Sequence, residues 1–287
     1  MQEQYKNICF YSSFGTGDLH NSREIIKNII KNNPSNYFYA HPQDPKILSD
    51  IENLKHSKIY PFMNSMIPFI KGEENDLYIN TWIGRDSKFV LPGIGCTLEN
   101  YLKMFNEILS KVNLQKLDRS LEDYIPSINY SKFDIFRINE FIKDHKNLIL
   151  ISNGIVNSEQ SINFDFTNII MKLLDLFPEY DFILTQKINL DTKNLFFTDE
   201  IIQTTNSDLN EISYLSLFSK VIIGRSSGPY VFCQVKENYS DPIKKFLSFT
   251  KHINASDLIF SGLRKKFWSN ATNENDILNK IIGVINE

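Results

Sequence analysis

Each half of the chain contains an apolar run that ends directly in a short polar loop with glycine. NICFYSS (residues 7–13) precedes FGTGD, and NLILISNG (residues 147–154) is an almost uninterrupted apolar run. Strands of a parallel sheet have this composition because helices cover both faces of the sheet. The two runs therefore predict that each half is built on a parallel sheet.

Helical and strand-like segments alternate along the rest of the chain. Apolar residues recur at helical spacing through residues 19–30, 99–114, 166–177, 208–219 and 274–284. Further strands are predicted at residues 36–40, 76–82, 181–186 and 257–261, at the segment that begins at residue 220, and as a short strand near 201–203. This alternation predicts an α/β fold of two Rossmann-like domains whose parallel sheets face a cleft.

The length of the chain supports two domains. A chain of 287 residues exceeds one ordinary core and fits two domains of about 100–150 residues. The polar segment 131–145 separates the two strand and helix patterns. We therefore expect one domain over residues 1–138 and a second over residues 139–287.

The composition indicates a folded protein without a nucleic-acid partner. Hydrophobic residues make up 42% of the chain, and the formal net charge is −3, which gives no excess of Lys and Arg to neutralise phosphates. No apolar run approaches the roughly 18 residues that a membrane-spanning helix needs, and the first ten residues do not resemble a signal peptide. Cys9, Cys96 and Cys233 are widely spaced, which predicts buried reduced thiols. We therefore expect a cytoplasmic protein.

The loop FGTGD is the first candidate site. Gly15 and Gly17 allow close approach of a ligand, and Asp18 falls at or near the start of a helix, with His20 two residues later. Asp18 is either a base whose carboxylate faces the ligand or simply the N-cap of the helix, and the two roles can coexist. The spacing is not GxGxxG, because His20 stands where a third glycine is required. Nicotinamide binding is therefore poorly supported.

The segment GRSSGPY is the second candidate site. Gly224, Ser226, Ser227 and Gly228 form a small hydroxylated turn before a helix, and such a turn can present N–H groups and hydroxyls to a diphosphate, with Arg225 adding charge. The alternative is an ordinary turn between a strand and a helix.

A third candidate is the pair Trp82 and Arg85, which either line an acceptor site or serve core packing and a solvated ion pair with Asp86. Motifs of other enzyme classes are missing: the five His residues have no zinc spacing, and neither GxSxG nor a P-loop occurs. The sequence therefore predicts no metal site and no cofactor.

Together these motifs resemble the GT-B glycosyltransferases, particularly the heptosyltransferase-like group. In that group a Gly-Asp pair follows the first strand, and its Asp is taken as the base that deprotonates the acceptor; here the pair falls on Gly17 and Asp18. A late Gly-Pro turn near the donor diphosphate matches Gly228 and Pro229. The group usually has a Lys or Arg after the first strand of the second domain, whereas SNGIVNSEQS has none, so either Arg225 or Lys187 supplies that charge or this loop does not bind a diphosphate.

The resemblance implies metal-independent transfer of a sugar from a nucleotide-sugar donor to a glycan or lipid-linked acceptor, as in bacterial surface polysaccharide synthesis. Peripheral association with the inner face of the membrane is compatible with such an acceptor. The implied catalytic residues are Asp18 and His20, and the implied acceptor contacts are Trp82 and Arg85. The implied donor site comprises Gly15, Gly17, Ser152, Asn153, Gly154, Gln186, Lys187, Arg225, Ser226, Ser227 and Gly228.

Two alternatives remain open on the same scaffold. One is a nucleotide-sugar hydrolase or epimerase, in which water replaces the acceptor or His20 acts as an acid or base. The other is a binding subunit without catalysis, which the missing basic residue in SNGIVNSEQS favours.

Overall fold

A computed structural model describes residues 5–12, 15–41, 45–57, 66–89, 97–157, 161–204, 207–251 and 266–287. The chain divides into a first unit, Met1–Lys132, and a second unit, Phe133–Glu287. The division falls six residues before the boundary after residue 138 that the sequence suggested.

The first unit is built on a five-stranded sheet. Its strands are β1 (Asn7–Tyr11), β2 (Asn36–Ala40), β3 (Leu54–His56), β4 (Phe69–Lys71) and β5 (Asp76–Asn80), in the order β3-β2-β1-β5-β4. Its helices are α1 (Thr16–Asn21), α2 (Arg23–Asn32) and α3 (Leu98–Lys111). All neighbouring strands are parallel except β4 and β5. The predicted α/β class is confirmed, with one antiparallel edge that the sequence reading did not anticipate.

The antiparallel edge follows from a short connection. Only residues 72–75 join β4 to β5, and Glu74 and Asn75 adopt φ values of 55° and 64° within this turn. A parallel pair needs a crossover of a dozen or more residues, so a connection this short forces the two strands to run in opposite directions.

A buried ion pair links α2 to distant parts of the first unit. The guanidinium of Arg23 contacts the carboxylate of Asp50, and both side chains are fully buried. Arg23 also donates to the carbonyl of Ile47 at 2.5 Å, and Asp50 accepts the N–H of Asn129 at 3.1 Å. The pair therefore fastens α2 to two separate segments of the chain.

The second unit is built on a six-stranded sheet in which every neighbouring pair is parallel. Its strands are β6 (Leu148–Ser152), β7 (Asp181–Leu184), β8 (Leu195–Phe197), β9 (Ser219–Arg225), β10 (Lys245–Phe249) and β11 (Lys266–Ser269), in the order β11-β10-β9-β6-β7-β8. Its helices are α4 (Phe136–Asp144), α5 (Thr167–Leu176), α6 (Thr198–Ile201), α7 (Leu209–Ser216), α8 (Gly228–Phe232), α9 (Lys236–Ser240) and α10 (Glu274–Asn286).

Helices α5 and α10 cover one face of this sheet. Ile170 and Leu173 of α5 and Ile277 and Ile281 of α10 are fully buried in one apolar cluster with Ile149 of β6. Each such side chain contributes roughly 1.5–3 kcal/mol when it is removed from water. Burial on both faces explains why β6 reads as an uninterrupted apolar run, which was the basis for predicting a parallel sheet.

The centre of the second sheet requires glycine at position 224. Gly224 of β9 lies opposite Ser152 of β6, and a Cβ on Gly224 would lie 2.6 Å from the Ser152 Cβ. Gly224 therefore belongs to the strand, not to the turn in which the sequence reading placed it.

Some predicted elements differ from the structure. The short strand expected near 201–203 is wrong: the strand is Leu195–Phe197, and Thr198–Ile201 is helical. The strand expected at 257–261 lies outside the described residues. Among the strands of the described residues, β3, β4, β8, β10 and β11 were not predicted at their positions.

Two further predictions concern the cysteines, expected to be buried reduced thiols, and the lack of a membrane-spanning helix. Cys9 and Cys233 are buried free thiols, and burial raises the pKa of each to about 12. Cys96 lies outside the described residues. Within the described ranges, the helices are too short or too polar to span a bilayer.

Candidate functional site

Asp18 lies in the first turn of α1, just beyond the carboxyl end of β1. The helix begins at Thr16, and Gly15 occupies the N-cap position without a capping side chain. The suggestion that Asp18 is the N-cap is therefore wrong, because the helix starts two residues before it. Its partly buried carboxylate accepts hydrogen bonds from outside α1 instead.

Two groups from distant parts of the first unit donate to Asp18. The hydroxyl of Tyr101, on α3, donates to Asp18 Oδ1, and the N–H of Ile83 donates to the same oxygen at 3.4 Å. The sequence reading assigned Tyr101 only to the apolar face of a helix. A signal was present, since a buried Tyr hydroxyl usually has a hydrogen-bond partner and Phe would serve packing alone.

The other candidates of the first unit lie in different surroundings. His20 is fully buried, whereas Gly15 is exposed and Gly17 is half-buried. Trp82 is half-buried directly before the 3₁₀ helix Ile83–Arg85, and its backbone N–H donates to Asn80 Oδ1 at 3.0 Å. The side chain of Arg85 lies outside what the structure describes.

The position of the Trp82 indole requires glycine at position 84. A Cβ on Gly84 would lie 2.7 Å from the indole Nε1 of Trp82. Glycine at this position therefore lets the indole lie against the backbone of the segment that also supplies the Ile83 N–H to Asp18.

In the second unit, Asn153 joins the carboxyl ends of β6 and β7. Its Nδ2 donates to the carbonyl of Gln186 at 2.8 Å, and the N–H of Gln186 donates to its Oδ1 at 2.8 Å. Asn153 thus pairs with a backbone amide as a neighbouring strand would. We call these two hydrogen bonds the Asn153 clamp, and the side chain of Gln186 remains exposed beside it.

Arg225, the last residue of β9, organises the segment that follows β6. Its guanidinium donates to the carbonyls of Asn153 at 2.6 Å, Gly154 at 2.8 Å and Ile162 at 3.1 Å, and also to that of Phe164. The sequence reading expected this guanidinium to contact a diphosphate. In the structure the guanidinium donates to backbone carbonyls, and a contact with a diphosphate stays a prediction.

Aromatic rings and burial complete the surroundings of Arg225. Its guanidinium carbon lies 4.7 Å from the ring centroid of Phe164 and 4.9 Å from that of Phe166. Burial lowers the pKa of Arg225, and the carboxylate of Asp165 opposes that shift. The positive charge persists, because an arginine stays protonated in proteins.

A cavity of about 310 Å³ opens beside these groups. Its wall combines an apolar side, where Ile155 is 69% exposed, with the charges of Asp165, Lys187 and Arg225. The remaining lining residues are Asn153, Asn163, Phe164, Phe166, Gln186 and Ile188. The volume is at the low end of the range of small-molecule sites.

Lys187 is the exposed cation of the cavity. Its Nζ lies 3.1 Å from Glu200 Oε1 and 3.4 Å from Asp199 Oδ2, and the side chain is half exposed. The hydrogen bond with Glu200 raises the pKa of Lys187. Of the two basic residues proposed for the donor charge, Lys187 is thus the one that can reorient toward a ligand.

The segment Ser226, Ser227 and Gly228 lies at the start of α8 and does not line this cavity. Ser227 is the N-cap residue without a capping side-chain hydrogen bond, and Pro229 occupies the first turn. Ser152 is buried at the end of β6, and Gly154 is half-buried next to the clamp. In the described part of the chain, no cluster of three or more His, Cys, Asp and Glu side chains could hold a metal ion.

Comparison with known proteins gives a likeness in structure and none in sequence. No protein-family model matches the chain, and no curated protein matches it in sequence. E. coli heptosyltransferase WaaC with ADP is similar at a TM-score of 0.52 and 5% identity, over 97% of this chain and 99% of that chain. WaaC with ADP-2-deoxy-2-fluoro heptose gives 0.50 at 6% identity, over 96% and 99%.

A UDP-GlcNAc 2-epimerase from Neisseria meningitidis bound to UDP-GlcNAc gives a TM-score of 0.46 at 12% identity, over 98% of this chain and 91% of that chain. At 5–6% identity, the likeness to WaaC shows the fold alone, and the activity has to be argued from the site. The resemblance to the heptosyltransferase-like group is confirmed at that level: the chain has the α/β fold of the GT-B glycosyltransferases.

Proposed function

We propose that the chain transfers a sugar from a nucleotide-sugar donor to a hydroxyl group of a glycan or lipid-linked acceptor. The observation that carries the proposal is Asp18, a partly buried carboxylate beyond the end of β1 that two separate donors hold in place. A general base must be accessible to its substrate and fixed in orientation, and Asp18 meets both requirements.

In the proposed reaction, Asp18 takes the proton from the attacking hydroxyl group. The acceptor oxygen forms a bond to the anomeric carbon, and the bond from that carbon to the diphosphate breaks. The nucleoside diphosphate leaves with the electron pair. His20 is fully buried, so the proposal gives the proton transfer to Asp18 alone.

The proposed donor site is the cavity of the second unit. Its apolar side at Ile155 and Ile188 suits a nucleobase, and the exposed side chain of Gln186 offers a polar contact. The Asn153 clamp and the Arg225 carbonyl contacts hold the cavity walls before a ligand arrives. A preformed wall reduces the ordering cost of binding.

The departing diphosphate requires positive charge and N–H donors. We assign the charge to Lys187, with the buried Arg225 adding to the local potential. We assign the N–H groups to Ser226, Ser227 and Gly228, which follow Arg225 in the chain and lie outside the cavity lining. WaaC, which has the same fold, is a heptosyltransferase seen with ADP, and this supports a nucleotide donor for this chain.

The proposed acceptor contacts are Trp82 and the neighbouring Arg85. Trp82 flanks the segment that donates to Asp18, so an acceptor stacked on the indole would approach the base. A lipid-linked acceptor in surface polysaccharide synthesis would place the reaction at the inner face of the membrane.

The test is a thermal-unfolding panel of nucleoside diphosphates and nucleotide sugars. A ligand that binds the folded state alone at about 100 times its Kd stabilises it by about 2.7 kcal/mol. The proposal predicts a selective shift with one nucleotide. No shift across the panel would contradict a nucleotide donor.

A matched pair of variants locates the site. Lys187 and Lys172 are both exposed lysines of the second unit in ion pairs, but only Lys187 lines the cavity. We expect Lys187→Met to weaken nucleotide binding about tenfold, which reduces the stabilisation to about 1.4 kcal/mol at the same concentration, and Lys172→Met to leave it unchanged. Equal nucleotide affinity of the two variants would contradict binding of the nucleotide in this cavity.

A further inference from the structure

We propose that Tyr101 is a positioning residue that orients the Asp18 carboxylate and favours its charged form. The inference deepens the proposed function, because a base must be ionised to accept a proton. The contact itself is a property of the first unit and can be tested without any substrate.

The geometry supports a specific role for the Tyr101 hydroxyl. Tyr101 is 1% exposed, within the apolar face of α3, and its hydroxyl donates to Asp18 Oδ1. The two residues are 83 positions apart, so the contact exists only in the folded unit. The N–H of Ile83 reaches the same oxygen, and two donors from different elements therefore fix the plane of the carboxylate.

The chemistry of these donors favours the ionised carboxylate. A hydrogen bond to the charged form stabilises that form and lowers the pKa of the carboxyl group. Among the described titratable groups near α1, His20 is buried on the same helix, and Arg23 of α2 is engaged with Asp50. Tyr101 is a titratable side chain hydrogen-bonded to Asp18.

The Tyr101 contact also connects the base to the segment around Trp82. Oδ1 of Asp18 is shared by a side chain of α3 and by the N–H of Ile83, which directly follows Trp82. Removing the Tyr101 hydroxyl would leave the N–H of Ile83, 3.4 Å from Oδ1, as a donor to this oxygen. This distance is beyond the usual range for a strong N–H to oxygen hydrogen bond, so the Tyr101 hydroxyl is the stronger of these two donors.

The experiment measures the ionisation of Asp18 directly. In protein labelled with ¹³C at aspartate carboxyl carbons, the Asp18 signal is assigned as the one that disappears in Asp18→Asn, and it is titrated in wild type and in Tyr101→Phe. We expect Tyr101→Phe to raise the midpoint by about one pH unit. The control is Tyr37→Phe, which removes a buried hydroxyl that donates to the Asn33 carbonyl at 2.6 Å in the same unit.

A second measurement needs only folded wild type and Asp18→Asn. With ¹³C at tyrosine Cζ, one tyrosine signal should shift with the Asp18 midpoint in wild type, and that response should vanish in Asp18→Asn. An unchanged midpoint in Tyr101→Phe, or no tyrosine signal that follows Asp18, would overturn the inference. A raised midpoint in a protein that transfers no sugar would uphold the Tyr101 contact and reject the proposed function, so the two failures are distinguishable.

Discussion

Replacing Arg225 by Met decides between a structural role and a ligand-binding role for this residue. The substitution removes four hydrogen bonds to backbone carbonyls and the contacts with the rings of Phe164 and Phe166. Hydrogen bonds to a charged group contribute about 1.5–3 kcal/mol each, but contacts within one network do not add independently. Arg225→Met leaves the carbonyls without this donor, and each buried polar group left unsatisfied costs about 1–3 kcal/mol. We therefore expect Arg225→Met to lower the free energy of unfolding of the second unit by about 4 kcal/mol.

The two tryptophans allow each unit to be followed separately. Trp82 lies in the first unit and Trp268 in the second, and the chain has no other tryptophan. In a Trp82→Phe background, urea unfolding followed by tryptophan fluorescence reports on the second unit. Lys220→Met is the matched control, since Lys220 is an exposed cation on the same strand, and we expect a change within about 0.5 kcal/mol.

The refuting result for Arg225 is specific. If Arg225→Met unfolds with nearly wild-type stability and yet loses the thermal shift with a nucleotide, Arg225 binds the ligand directly. The hydrogen bonds of Arg225 to the carbonyls would then contribute little to the stability of the second unit.

Three further predictions concern buried groups. Asp50→Asn, which leaves the Arg23 charge buried without its partner, should destabilise the first unit by about 3–5 kcal/mol, measured by urea unfolding followed through Trp82 in a Trp268→Phe background. Gly224→Ala should destabilise the second unit by about 1–3 kcal/mol, because the added Cβ would lie 2.6 Å from the Ser152 Cβ; wild-type stability would contradict the close approach. Burial lowers the pKa of Lys244 to about 8 from 10.5, so between these values the unfolded chain holds a proton that the folded chain has released, and folding gains stability as pH rises. The unfolding free energy of wild type relative to Lys244→Met should therefore rise between pH 8 and 10.5 by up to about 3 kcal/mol, and a constant difference would contradict the lowered pKa.

The long strands and helices could be predicted because the pattern of apolar residues within each segment indicates which side chains are buried. The apolar run of β6 and the helical spacing in α10 are local signals, and the structure has both elements close to the expected bounds. The edge strands β3 and β4 have three residues each, which is too short for a periodic pattern to stand out. The expected strand near 201–203 fails for the same reason, since the apolar residues there belong to a short strand followed by a turn of helix.

The residues of the candidate site could be predicted from the sequence, but the partners of their side chains could not. Sequence spacing singled out Asp18 and Arg225 because each lies next to a glycine-bearing turn. The partners of these residues could not be predicted, because Tyr101 is 83 positions from Asp18, and Phe164 is 61 positions from Arg225. Such contacts depend on strand order and register, which periodicity within one segment does not determine.

The central claim is that Asp18 is the base of a nucleotide-sugar-dependent transfer. The most direct measurement is release of nucleoside diphosphate from the nucleotide sugar that stabilises the protein, with wild type and Asp18→Asn compared in the presence of candidate glycan acceptors. The account predicts that Asp18→Asn retains the nucleotide-induced thermal shift and loses turnover by about 10²–10⁴-fold. Turnover by Asp18→Asn at the wild-type rate would contradict the assignment of the base.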